Sequence, residues 1–299
     1  MPLDDAAAIA AELTPGFAVH EPAEQLAPFV FCSPHSGRTY PSVLLEAARL
    51  DAHALRKSED CFVDELFAGV AALGAPLLAA RFPRAYLDVN REPFELDPEL
   101  FGAKLPTFAN GQSLRVAGGL GTIARIVADG EEIYREPPTL DAALLRIERL
   151  YRPFHATLDG LLRRTHARFG QAILIDCHSM PSAAMGNSNH TRPDFVIGDR
   201  FGAACEPWLT RLVRDQLGRA GYHVLLNRPY AGGFITEHYG RPAHGIHALQ
   251  IEINRALYLN ERTLLPTPGF GKLQADLMSL CRGLFAATPF ASARSAAAE

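Results

Sequence analysis

Three apolar runs in this 299-residue chain end in, or enclose, side chains that bind metal ions or move protons. FVFCSPHSGRTYP places His35 just past the run Phe29–Cys32. AILIDCHSMPS places Asp176 and His178 at the end of Ala172–Ile175. ALQIEINR sets Glu252 inside an apolar strand. Imidazoles and carboxylates arriving from separate strand ends are the donors a catalytic divalent cation needs, since zinc of this kind takes three protein ligands and keeps a fourth position for water. Either histidine alone reads as a loop hydrogen-bonding group; both together, each flanked by Ser and Pro turn residues, read as a site. A third ligand is sought in KSEDCFVDELF, which begins a helix and offers Glu59, Asp60, Asp64 and Glu65. Asp60 and Asp64 are four apart and share a helical face. Capping and the helix dipole explain Glu59 and Asp60 equally well, and spacing does not choose among the four.

Other segments offer substrate contacts. RFPRAYLDVNRE gathers Arg84, Asp88, Asn90 and Arg91; arginine grips a carboxylate through two parallel hydrogen bonds, and a neighbouring Asn adds donors. Against that stands a surface arginine paired with Asp88 or Glu92. GGFITEHYGRP offers Thr236, His238 and Tyr239, or is a turn-rich connection. AGGLGTIAR lacks the GxxxxGK[ST] phosphate-loop pattern and reads as a flexible loop. No GxSxG elbow is present, and Cys177 and His178, adjacent on a strand, point to opposite faces and make a poor dyad.

These residues need a scaffold of strand ends. Short apolar runs at Phe29–Cys32, Leu77–Phe82, Tyr86–Val89, Ala172–Ile175, Phe195–Ile197, His223–Leu226 and Ala248–Ile253 read as buried strands. Between them lie helical stretches at Glu59–Leu73, Leu140–Phe169 (with Pro153 expected to kink or break it), Trp208–Ala220 and Lys272–Phe285. The alternation predicts an α/β fold: a mixed, mostly parallel sheet with helices on both faces, binding its ligand beyond the carboxyl ends of the strands. No linker divides the middle, so residues 29–290 read as one domain, with an N-terminal extension over 1–28 packing on it and a flexible tail over 291–299.

Composition narrows the class. Hydrophobic residues make up 48% and charged residues 21%, as in soluble globular proteins. A net charge of -4 argues against nucleic acid and anionic membranes as partners. Five cysteines without a CxxC pair argue against a disulfide scaffold and for a reducing compartment. No secretory signal or membrane span is visible, so a cytoplasmic location is expected.

The motifs SPHSGRTYP, DCFVDEL, RAYLDVNRE, ILIDCHSMPS, DFVIGDRFG and GGFITEHYGRPAHGIHALQIEINRALYLNE resemble the N-formylglutamate amidohydrolases, over about Phe29 to Glu261. That family is similar in fold to zinc carboxypeptidases and aspartoacylases. The resemblance implies hydrolysis of an N-acyl amino acid, N-formyl-L-glutamate first, as in histidine degradation. It implies one divalent metal, zinc before cobalt, iron or manganese, held by His35, Asp60 and His178, with Asp64 in reserve. Glu252 would be the base, Arg84 a stabiliser of the oxyanion, and Asn90 and Arg91 the carboxylate clamp. Ser36, Thr236 and Tyr239 would be further substrate contacts, and Asp176 would steer His178 from behind. A related amidase or carboxypeptidase-like enzyme with another N-acyl or peptide substrate is the nearest alternative. An inactive binding protein on the same scaffold is the alternative of another class.

Overall fold

The computed structural model describes residues 4–102, 104–127, 130–183 and 192–288; the expected tail over 291–299 lies outside them. Seven strands, β1 (Phe17–His20), β2 (Phe29–Ser33), β3 (Leu77–Ala80), β4 (Ala172–Met180), β5 (Phe195–Gly198), β6 (Val224–Leu226) and β7 (Ile246–Asn254), form one sheet in the order β1-β3-β2-β4-β7-β5-β6. β2, β4 and β7 run parallel, as do β5 and β6, while β5 is antiparallel to β7. The sheet is mixed and mostly parallel, as the alternation of elements predicts. β2 and β4 are buried along their whole length, which is why they read as continuous apolar runs rather than alternating ones.

The helices that matter below are α1 (Asp5–Glu12), α2 (Val63–Phe67), α3 (Arg152–Phe169), α4 (Pro207–Arg219), α5 (Phe234–Tyr239) and α6 (Gly269–Ala287). Register sets Asp176 beside Gln250 and His178 beside Glu252. Parallel partners share a face, and residues two apart on a strand do too, so these four form a polar block on one face of β4 and β7. α5 lies on that face, because Thr236 donates to Asp176. On the opposite face Phe29 stacks on Phe285 of α6 at 4.8 Å, and Phe31 packs on Phe67 of α2 at 5.9 Å. Helices therefore cover both faces.

Contacts divide the chain into two compact units. One, residues 19–33, 62–78 and 158–299, contains β2, β4–β7 and helices α2, α4, α5 and α6. The other, residues 1–18, 34–61 and 79–157, has a buried ionic centre. There Asp5 of α1 accepts from Nε and Nη2 on one edge of the Arg146 guanidinium and from the hydroxyl of Tyr86, and Arg146 lies 3.9 Å from the centre of the Tyr86 ring.

Four expectations about elements are corrected. Tyr86–Val89 is buried but turns instead of pairing: Tyr86 N–H donates to Pro83, and Asp88 uses its own carboxylate to accept from Asn90 N–H. The helix expected over Glu59–Leu73 begins only at Val63, because Phe62 has φ 61°, left-handed and incompatible with a continuing helix. The run Leu140–Phe169 is not broken at Pro153; the irregularity falls just before it, where Ile147–Tyr151 widens into a π turn. The Gly-rich run is not a loose loop: Thr122 is fully buried and bonds to Glu95 and Asp88 through its backbone.

Candidate active site

The turn after β2 delivers His35. It fits only because Gly37 lacks a side chain, since a Cβ there would collide with the Phe82 carbonyl. Asp60 is drawn to the same turn, its N–H donating to the His35 carbonyl at 3.0 Å. Its neighbour Glu59 anchors this stretch, receiving hydrogen bonds from Tyr40, Arg56 and Cys61. Glu59 and Asp60 thus serve neither as a helix cap nor as first-turn acids, because α2 starts three residues after Asp60, has no side-chain cap, and carries Asp64 and Glu65 in its own first turn.

His35 meets a carboxylate at each ring nitrogen, closely at one and more loosely at the other. Nε2 lies 2.8 Å from Asp88 Oδ1, and Nδ1 faces Asp60 Oδ2 at 3.4 Å. Asp88 collects Arg84 Nε at 2.9 Å and the Asn90 N–H at 2.8 Å, with Arg91 Nη2 at 3.6 Å. Burial alone would raise the Asp88 carboxyl, but Arg91, Arg84 and His35 outweigh it and hold it well below the usual carboxylate range. Arg91 is itself fixed by the carbonyls of Leu120 and Asn90, and burial brings its guanidinium down to about 10. Asn90 and Ser36 are both buried.

On β4, His178 Nε2 lies 3.0 Å from Asp176 Oδ1. Asp176 Oδ2 accepts from Thr236, which is fully buried. On β7, Glu252 is buried and accepts from Gln250 Nε2 at 2.9 Å. Tyr239 closes α5, buried, its phenol raised far above its ordinary value by burial first and then by Cys32 and Asp159. Cys177 points away from His178, on the α6 side, and burial holds its thiol protonated.

His35, Asp60 and His178, all buried, each offer a ligand atom within 4.8 Å of the others. Two imidazoles and a carboxylate are a donor set that suits a divalent cation of the zinc type. It is the one such group of three among the described residues, and Asp64, the reserve ligand, is not part of it.

A sequence profile of N-formylglutamate amidohydrolases matches residues 27–259. The chain belongs to the N-formylglutamate amidohydrolase family. Its relatives include the N-formylglutamate deformylase of Pseudomonas putida, 30% identical over 237 residues that span 78% of this chain and 82% of the relative. The deformylase of Pseudomonas aeruginosa is likewise 30% identical, over 79% of this chain and 83% of its own. Among solved structures, the crystal structure of N-formylglutamate amidohydrolase from Ralstonia eutropha JMP134 matches with a TM-score of 0.84 and 38% identity, covering 89% of this chain and 95% of that one. Amidohydrolases of this family cut an amide C–N bond, so the chain is a hydrolase of that class.

Two residues escape a sequence reading of this amidohydrolase. Asp88 stood out only as a partner for arginine, yet it is also the carboxylate on His35, 53 positions away. Gln250 carried no signal of its own, although its spacing of two from Glu252 on a strand places both on one face.

Proposed function

We propose that the chain hydrolyses N-formyl-L-glutamate to formate and L-glutamate, using one divalent cation held by His35, Asp60 and His178. Zinc is the first choice; cobalt, iron and manganese suit the same donors less selectively. The observation that carries this reading is the buried three-ligand group in a chain 30% identical to named deformylases over most of its length.

When bound, the cation supplies Lewis acidity to the attacking water and to the formyl oxygen. The remaining work falls to the chain. Glu252 accepts the proton of the attacking water and returns it to the departing amine, so that one carboxylate serves as base and then acid. Arg91 and Asn90 hold the α-carboxylate and so fix the amide in place. Arg91 suits this task because backbone carbonyls of Leu120 and Asn90 fix its orientation. Arg84, about a quarter exposed and tethered to Asp88, supports the oxyanion. Ser36 and Tyr239, both buried, add substrate contacts in this reading. Thr236 and Asp176 keep His178 oriented, as partners of ligating histidines do. Five free thiols suit a cytoplasmic enzyme, and a place in histidine degradation follows from the substrate. No helix among the described residues is long and apolar enough to cross a membrane.

The test is formate release from N-formyl-L-glutamate, with elemental analysis of the same sample. The expected result is turnover, about one equivalent of metal for three ligands and one site, and loss on chelation with recovery on metal return. A metal-replete sample that releases no formate rules out the substrate. A metal-free sample of undiminished activity rules out the cation.

A further inference from the structure

Glu252 can serve as base only if its carboxylate is held in the right orientation. Gln250, its neighbour on the same face of β7, is bonded in a way that holds it. The backbone N–H of Gly233 lies 2.7 Å from Gln250 Oε1 and can only donate, so the carboxamide oxygen must face Gly233. The amide nitrogen therefore faces Glu252 and must donate, which makes Glu252 Oε1 an acceptor. That bond fixes the orientation of the Glu252 carboxylate on β7.

The Gly233 N–H is itself placed by a close backbone approach. Gly198, at the end of β5, sits in register with Gln250. A Cβ on Gly198 would lie 2.6 Å from both Ala231 C and Gly232 N, closer than real side chains approach backbone. Arg200 N–H clamps the same strap by donating to the Ala231 carbonyl at 2.7 Å, and Gly232 makes the bend with φ 113°. A relay thus runs from Gly198 through the strap 231–233 to Gln250 and on to Glu252. We propose that Gln250 is a positioning residue for this reaction, orienting the Glu252 carboxylate, and that Gly198 is present to let the strap reach Gln250. This rests on the reading of Glu252 as the base.

The test compares Gln250→Met, which keeps length without polarity, Gln250→Asn, which keeps the amide but shortens its reach, and Gly198→Ala, which pushes the strap from outside the site. Each is measured on the metal-loaded enzyme with N-formyl-L-glutamate, beside Glu252→Gln and the double variant Gln250→Met/Glu252→Gln. All three single variants should lose kcat by roughly 10- to 100-fold, the scale of misplacing a reacting group by about an ångström. KM and bound metal should stay within about twofold, a split that a merely structural defect would not produce. Gln250→Met should have little further effect once Glu252 is already Gln, because the group it positions is gone. If Gln250→Met fails to fold, the other two variants carry the comparison. Wild-type kcat in the variants that fold, or losses confined to KM or metal content, overturn the positioning role while an inactive Glu252→Gln leaves the base in place. Losses that multiply in the double variant overturn it too. Full turnover by Glu252→Gln removes the base and with it the relay.

Discussion

A buried carboxylate that must take and return a proton is sensitive to the loss of its charge even where its volume is kept. Glu252→Gln preserves the volume and the contact with Gln250 but removes the basic oxygen. Turnover should fall by about 100-fold or more, the usual contribution of a positioned base, while metal content stays unchanged; elemental analysis alongside steady-state rates checks both, and near-normal turnover would take Glu252 out of the base role. Asp88 presents the opposite case, acting through what it holds. Its two oxygens engage His35, Arg84 and the Asn90 N–H, and its carboxyl stays ionised. Asp88→Ala should weaken metal affinity by about 10- to 100-fold, as removal of a carboxylate behind a ligating histidine does. Competition with a metal chelator measures this directly, and unchanged affinity would mean that His35 needs no such support.

At the scale of elements, the site depends on segments that are irregular yet closely packed. The turn from Tyr86 to Arg91 is supported by the Gly-rich run beside it: Asp88 N–H donates to Thr122, and Arg91 Nε to Leu120. Gly121 presses against the Glu95 carbonyl, where a Cβ would collide. Gly121→Ala should therefore cost about 1–3 kcal/mol in stability, as overpacking does. Because the shift reaches Arg91, KM for N-formyl-L-glutamate should rise more than kcat falls; a kinetic comparison with a thermal melt distinguishes this from simple destabilisation. These segments also mark how far the sequence can be read. β2, β4 and β7 were legible because strands buried on both faces are rich in apolar residues, and His35, His178 and Glu252 were legible because they follow or interrupt such runs. Tyr86–Val89 is just as apolar and is buried too, but Pro83 and the Asp88 carboxylate turn the backbone out of any ladder, which hydrophobicity alone does not register. Asp60 could be singled out only by likeness to a family, because its meeting with His35 is made by a backbone bond across 25 positions of intervening turn and helix.

At the scale of the molecule, the five cysteines separate two kinds of hydrolase. All five are buried free thiols. Burial raises the thiols of Cys32 and Cys177 well above their ordinary range, with Asp176 adding to it, and brings Cys205 to about 11 and Cys281 to about 12. A nucleophilic cysteine requires the reverse, a thiolate stabilised near neutral pH and open to substrate. These four thiols stay protonated across the working range, since a raised pKa delays ionisation until the pH approaches the raised value. Alkylation of the native enzyme near pH 8 should accordingly leave activity intact and add almost no mass. Labelling should become complete only in denaturant, at a rate set by unfolding. A chelator should abolish activity under the same native conditions. Intact-mass spectrometry with parallel assays reads all of this at once. One rapid adduct accompanied by inactivation would point to a reactive thiol that burial ought to forbid, and would move the chemistry away from the His35, Asp60 and His178 group.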